Sequence, residues 1–446
     1  MEERTLSYNV SFISLGCAKN QVNCEQMMAS VQAAGHAIQA DPDGADVVVV
    51  NTCGFLASAC EEAIDNSLEM AELKKEGRVK KILVTGCMAQ RYKEDVLTEL
   101  PEVDGILGTG SYGDIAQAID EVMAKGLRPC HIGNIHTANQ SGERILSTPS
   151  WYAFLRIAEG CDNHCAYCVI PSLRGKYRSR PMEELLEEAR ELSDAGVREL
   201  IVIAQDITRY GTDLNGEHQL AALLRELCRL NFHWIRLHYL YPDEITDELI
   251  DTIAAEPKIV KYLDIPIQHC NDTILKAMNR RDTKASLTEM LGKLRGRIPG
   301  LVLRTSIITG LPYEDEAAFE ELCDFLRETK IERAGVFPFS PEDGTPAAKM
   351  DHVDTEEAQR RAELVVDVQS DIIDAYNDAL LGTEREVLCE GFDGQAQMYF
   401  GRSAAESPDI DGRIYFTADG EVPAGTFVTV RLTGTMDGEL TGEMVD

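Results

Sequence analysis

Short apolar runs separated by amphipathic stretches set the rhythm of the first third of the chain. Residues 8–15, 46–51 and 81–85 are compact hydrophobic blocks rich in valine and isoleucine, the pattern of strands buried on both faces. Residues 59–73, between two of these blocks, repeat at helical spacing. Strand and helix in alternation predict a parallel sheet in an α/β domain, here residues 6–130. Residues 131–150 are polar and aperiodic and read as a linker.

A second series of apolar blocks follows at 152–158, 199–204, 234–239, 262–266, 302–308 and 334–339. Pro181 and Gly196 bracket one intervening helix as an N-terminal proline and a C-terminal glycine do, and residues 315–328 form another. Six parallel strands with crossover helices predict a partial, open (β/α)6 version of the TIM-like barrel over residues 151–380. Asp354 followed by Glu357 has the form of a capping box, opening a long trailing helix that stops near Gly382. The pattern then changes. Residues 385–390, 395–401, 413–417 and 426–433 alternate between apolar and polar, and Asp393-Gly394, Asp419-Gly420 and Asp437-Gly438 are hairpin signals. Residues 381–446 are therefore expected to close into a small antiparallel β-barrel. No internal repeat or low-complexity tract is visible.

Composition narrows the function. With 446 residues, 44% of them hydrophobic, the chain can build about three separate cores. Residues 1–10 lack a basic stretch followed by an apolar run, and the aliphatic block from Val47 to Val50 is far too short to span a bilayer. A cytoplasmic protein with no membrane segment is expected. In that reducing compartment thirteen cysteines serve metals or catalysis rather than disulfides. Seventy-six acidic residues against 43 basic ones give a net charge of −33, so most of the surface repels nucleic acid and favours basic partners.

Cys161, Cys165 and Cys168 follow a predicted strand with spacings that let one loop wrap a cubic iron-sulfur cluster, which thiolates hold. Three ligands leave one iron open to chelate S-adenosylmethionine, a source of radical chemistry. The alternative, a structural zinc knuckle, wants a fourth ligand, for which His164 inside the loop is the candidate. A second trio, Cys17, Cys53 and Cys87, has a glycine beside each thiol at a strand end. In a parallel sheet all three emerge at the carboxyl edge, where open α/β sheets place ligands; small core cysteines are the plain alternative. Cys24, Cys60, Cys130, Cys228, Cys270, Cys323 and Cys389 read as packing thiols. Of these, Cys270 follows Gln268 and His269 on the barrel rim, where catalytic residues gather. The segment from Arg174 to Arg180 is a basic island in an acidic chain, open to a substrate carboxylate or phosphate or else a solvated loop paired with local acids.

The loop from Gly160 to Cys168, with Tyr167 before its last cysteine, resembles the signature of radical S-adenosylmethionine enzymes. The resemblance implies Tyr167 beside the adenine, and Ile308 and Gly310 on the adenine-side strand, with Pro312 and Glu314 continuing it. Both trios together, on this domain plan, resemble the methylthiotransferase family over nearly the whole chain. That resemblance implies two 4Fe-4S clusters, one on Cys17, Cys53 and Cys87 that carries sulfur, methylated by one S-adenosylmethionine. A second S-adenosylmethionine is then reductively cleaved at the cluster on Cys161, Cys165 and Cys168. The resulting radical abstracts hydrogen from a substrate carbon that receives the methylthio group. A low-potential electron donor of flavodoxin or ferredoxin type is implied as a partner. Cys24 and Cys270 fall where the family does not place cysteine.

Members of the family modify either an adenosine in transfer RNA or the β-carbon of an aspartate in a small-subunit ribosomal protein. Asn51-Thr52-Cys53-Gly54-Phe55, and Arg402-Ser403 leading to Ser407-Pro408-Asp409-Ile410-Asp411-Gly412, resemble the ribosomal-protein branch. Residues 383–446 resemble the TRAM domain, often an RNA binder, yet hold 13 acidic residues, four arginines and no lysine, a net charge of −9. Phosphate affinity comes from cations, so this barrel disfavours transfer RNA and suits a basic ribosomal protein. The rival readings are a transfer RNA adenosine methylthiotransferase and a non-catalytic metal-binding ribosome adaptor.

Overall fold

The computed structural model describes residues 7–137 and 141–445. Residues 1–6, scanned above for a leader, 138–140 in the predicted linker, and Asp446 lie outside the described residues. Val47 to Val50 are all inaccessible to solvent, as β-branched residues in a strand covered on both faces should be. They lie in the first sheet, formed by β1 (Asn9–Ser14), β2 (Ala37–Gln39), β3 (Val47–Thr52), β4 (Lys81–Gly86), β5 (Gly105–Leu107) and β6 (Cys130–His131). All neighbours are parallel, in the order β2-β1-β3-β4-β5-β6. The order reverses between β1 and β3, a switch point of the kind at which such sheets bind ligands.

The second sheet comprises β7 (Tyr152–Arg156), β10 (Glu199–Ile203), β11 (Trp234–Leu237), β12 (Ile259–Asp264), β13 (Val302–Thr309) and β14 (Arg333–Pro338), with β8 (Ala158–Glu159) and β9 (Arg178–Ser179) forming a separate antiparallel ribbon. Its order, β14-β13-β12-β11-β10-β7, is parallel throughout, the expected open barrel. Helix Met182–Asp194 starts after Pro181, and helix Glu316–Thr329 is capped by Asp315, whose carboxylate accepts from Ala318 N. Asp354 caps helix Thr355–Leu380 by accepting from Glu357 N, but the reciprocal half of the predicted box is missing. The Glu357 carboxylate instead accepts from Arg360 and Arg361 at 2.7 Å each.

β15 (Glu384–Asp393), β16 (Met398–Arg402), β17 (Ile414–Thr417), β18 (Phe427–Met436) and β19 (Glu439–Val445) close a five-stranded barrel. It departs from the expectation in one pairing: β17 and β19 are parallel. Asp437-Gly438, both at positive φ, is a true hairpin turn, whereas Asp419-Gly420 connects β17 to β18, which do not pair.

Alternation along the second sheet divides its faces. Leu200, Val202, Ile235, Leu237 and Leu263 join the core under the helices. Glu199, Arg236, Tyr262 and Arg333 face the other way, buried and polar. Residues 402–411 of the terminal barrel fill this concave side. Glu199 accepts from Arg236 at 2.6 Å and from Arg402 at 2.8 Å. Arg333 pairs with Glu406 at 2.5 Å, and Tyr262 donates to Asp411 at 2.6 Å.

The predicted linker is no free tether. Its Arg144 pairs with Glu25 at 3.1 Å and Glu188 at 3.0 Å, and donates to Phe154 O at 2.6 Å. Ser147 donates to Glu25 through its N and its Oγ, both at 2.9 Å.

Candidate active site

A cavity of about 490 Å³ is lined from both sheets by residues that follow the carboxyl ends of strands, a size typical of small-molecule and cofactor sites. Cys17, Cys53 and Cys87 open onto it from one side, and Cys161, Cys165 and Cys168 from the other. The structure thus brings together all six sequence-predicted thiols.

The first trio is built on the switch point. Cys17 follows β1 and precedes helix Ala18–Ala33, Cys53 follows β3, and Cys87 follows β4. A Cβ at Gly16 would lie 2.8 Å from Cys53 Cβ, and one at Gly54 2.6 Å from the Cys87 carbonyl carbon, so small residues let the three turns close on one another. Buried Asn20 clamps two of them, donating to Leu15 O at 3.2 Å and Thr52 O at 2.8 Å. Asn20 in turn accepts from Arg174, whose guanidinium lies 3.4 Å from Cys87 Sγ.

The second trio sits on the loop closed by β8 and β9. Cys161 N donates to Gly175 O at 3.2 Å, Cys168 N to Cys165 O at 3.0 Å, and Ala166 N to Met278 O at 3.0 Å. Gly160 has φ +81°, and any Cβ there would collide with the Lys176 carbonyl. Positive φ alone costs a non-glycine residue about 1–2 kcal/mol. Gly160→Ala should force the ribbon apart, lowering the melting temperature and the iron retained after reconstitution; unchanged values for both would refute this account of the loop.

Burial opposes ionisation in this setting, but at Cys17 the charges of Lys19 and Arg174 and the N–H groups of Asn20 and Lys19 outweigh it and hold the thiol below its usual range. Burial pushes Cys87 up to about 11 against the pull of Arg174. It likewise raises Cys53, with the neighbouring Cys17 charge adding to the effect. In the second trio burial pushes Cys161 up to about 12 and raises Cys168, each reinforced by Cys165. Metal binds the thiolate, so loading either site expels protons and the metal's charge relieves this repulsion. Both donor sets therefore fit an iron-sulfur cluster. Among the described residues no three His, Cys, Asp or Glu converge closely enough for a single ion.

Tyr167 and Ile308 line the cavity, and Arg280 Nη1 lies 3.5 Å from the Tyr167 hydroxyl. Gly310 is not among the lining residues: its N donates to Glu314 at 2.8 Å, and a Cβ there would meet Ala358 Cβ at 2.5 Å. Its glycine serves the approach of helix Thr355–Leu380. Cys24 is buried in the first domain, and Cys270 is buried with its thiol 3.6 Å from Glu321 O. The rim residue that does face the cavity is Gln268, at φ +70°. The basic island is divided: Lys176 is exposed, whereas Arg174 lines the cavity. Arg174 is buried against Glu159, Asn20 and Asn23, and Arg180 pairs with Glu188 at 2.6 Å.

Lys19, Gln205, Tyr239 and Arg280 also line the cavity and have no counterpart in the sequence expectations. Gln205 and Tyr239 follow β10 and β11 at the barrel rim, so the strand-end rule would have found them; nothing in the sequence singles out Lys19.

Comparison with known proteins agrees with this architecture. Residues 9–108 match the uncharacterized protein family UPF0004, residues 155–326 the radical SAM superfamily, and residues 381–445 the TRAM domain. The radical S-adenosylmethionine methyltransferase TsrM from Kitasatospora setae, solved with cobalamin and a [4Fe-4S] cluster, superposes with a TM-score of 0.58 at 12% identity, covering 77% of each chain. The cobalamin-dependent radical enzyme OxsB gives 0.51 at 12% identity over 81% of this chain and 56% of its own. Fold and site define a radical S-adenosylmethionine enzyme. Ribosomal protein uS12 methylthiotransferase RimO of Anaeromyxobacter sp. (strain Fw109-5) is 46% identical over 97% of this chain and 92% of its own. RimO of Geobacter sulfurreducens is 46% identical over 98% of each. The chain belongs to the RimO family of methylthiotransferases.

Proposed function

We propose that this enzyme transfers a methylthio group to the β-carbon of an aspartate in ribosomal protein uS12. The reading rests above all on two thiol trios opening onto one cavity from two different sheets. In it, Cys17, Cys53 and Cys87 hold one 4Fe-4S cluster, Cys161, Cys165 and Cys168 hold the other, and Tyr167 and Ile308 flank S-adenosylmethionine. When bound, these groups supply the sulfur to be transferred and a carbon radical to activate the target. The chain's own residues fix the distance between the two sites. Arg174 ties the loop after Cys168 to Asn20 and Cys87, and on the opposite side Arg91 pairs with Glu342 at 2.7 Å. Phe55, Phe337 and Phe339 supply apolar wall, which keeps water from a reactive intermediate.

The terminal barrel supports a protein substrate over transfer RNA. Of its four arginines, Arg402 is buried on Glu199 and Glu390, and Arg431 is paired with Glu384 at 2.8 Å. Few cations remain for phosphate, on which RNA affinity depends. A cytoplasmic setting and a flavodoxin or ferredoxin donor complete the reading; among the described residues no helix is long and apolar enough to cross a membrane. Mass spectrometry of ribosomal proteins and transfer RNA, with and without the gene, tests it. A methylthio mass on uS12 that disappears on deletion is expected. Loss of methylthioadenosine instead would transfer the enzyme to the RNA branch, and no change in either would refute catalysis.

A further inference from the structure

Three cationic side chains among the described residues line the cavity: Lys19, Arg174 and Arg280. Two of them have acidic partners. Arg174 lies 3.2 Å from Glu159, and Arg280 pairs with Asp282 at 3.2 Å while also donating to Pro266 O at 3.0 Å. Lys19 has no carboxylate within ion-pair distance among the described residues, although only 7% of its surface is exposed. Beyond Tyr239 and Cys17, the carboxylate whose field reaches it is Asp264, which is already held by Arg304 at 2.9 Å. The ammonium rests 3.3 Å from the centre of the Tyr239 ring, a contact that offsets part of the cost of burying a charge.

Its position matters as much as its lack of an acidic partner. Lys19 stands two residues after Cys17, and Tyr239 stands at the rim of the barrel that bears the other trio, so the ammonium bridges the gap between the two sites. Tyr239 is held at φ +67°, a conformation that costs a non-glycine residue about 1–3 kcal/mol and is retained where surrounding structure enforces it. A buried cation between walls of low polarity selects an anion, and a lone ammonium suits a single carboxylate.

We propose that Lys19 receives the carboxylate of the target aspartate, an inference that rests on the function proposed above. The side-chain carboxylate is one bond from the β-carbon, so anchoring it positions the carbon to be modified and rejects asparagine and other neutral residues. The other source of a carboxylate in this cavity is S-adenosylmethionine itself, and the test separates the two.

The reconstituted enzyme is titrated anaerobically with uS12 and with uS12 in which the modified aspartate is asparagine. Wild type should bind the aspartate form about 10- to 100-fold more tightly, the range for a hydrogen bond to a charged group. Lys19→Met, compared with wild type at matched iron content after reconstitution, should bind both forms alike, at the weaker level, with S-adenosylmethionine affinity unchanged. Lys19→Arg should recover a measurable part of the preference. A Lys19→Met enzyme that keeps the preference at matched iron content overturns the proposal, as does one that loses S-adenosylmethionine affinity. Wild type that modifies uS12 without preferring aspartate in binding overturns this inference alone. Wild type that neither binds nor modifies uS12 overturns the proposed function with it.

Discussion

Cys17→Ala should lower the iron content from about eight to about four atoms per chain and abolish methylthio transfer, while reductive cleavage of S-adenosylmethionine continues. Cys17 belongs to the first domain, and the loop from Gly160 to Cys168 keeps its own ribbon and backbone bonds without it. No other thiol can take its place. Cys24 is buried in the helix that follows Cys17, and burial pushes it up to about 12; Cys60 is packed in an apolar cluster. The matching variant, Cys161→Ala, should also fall to about four irons but lose cleavage as well as transfer. Iron assay and chromatography of 5′-deoxyadenosine measure both outcomes. If Cys17→Ala keeps about eight irons, or if cleavage stops with transfer, the division of labour between the trios is wrong.

Glu199→Leu should destabilise the protein by about 3–5 kcal/mol, because it leaves Arg236 and Arg402 buried without the anion they share. Both pairs are within 2.8 Å and all three side chains are at most 2% exposed, so solvent screens them little. The variant should melt earlier and release residues 381–446 to protease sooner, since Arg402 anchors the terminal barrel. Burial opposes the charge on Glu199, but Arg402 and Arg236 outweigh it and bring the carboxyl down to about 2. A depressed folded value means the stabilisation is present above the ordinary glutamate value of 4.5 and is lost as the pH falls toward about 2. The stability difference between wild type and variant should therefore shrink over that window. A difference that stays constant from pH 6 to pH 3, about two units above and about one unit below the ordinary carboxyl range, would rule out this network as its origin.

Most of the fold was legible because its strong signals are local. Buried blocks such as residues 47–52 and 199–203 announce themselves by composition, and the strand-end cysteines follow from the carboxyl-edge rule. β2, β5 and β6 are at most three residues long, too short for periodicity to register. β19 was missed because Glu439, Thr441 and Glu443 make it read as a polar tail. The basic island is hard to read for a different reason: charge in a sequence carries no record of burial, and Arg174 and Arg180 are buried against Glu159 and Glu188. The polar inner face of the second sheet was hidden likewise, since its partners lie in the terminal barrel. Residues 402–411, which resemble the branch signature, touch this inner face through Arg402, Glu406 and Asp411. Their resemblance is thus legible in sequence while their structural task is not.

The connection through Arg144 and Ser147 bears on how a target reaches the cavity. Glu25, in the helix that begins after Cys17, is held by both residues, while Arg144 also grips Phe154 and Glu188 beyond the connection. The halves of the enzyme are stitched rather than hinged, and spreading them would expose ion pairs that are expensive to break. A folded ribosomal protein cannot be engulfed by jaws that do not open. On the function proposed above, an aspartate that reaches the cavity without the two halves parting arrives on a projecting segment of its protein.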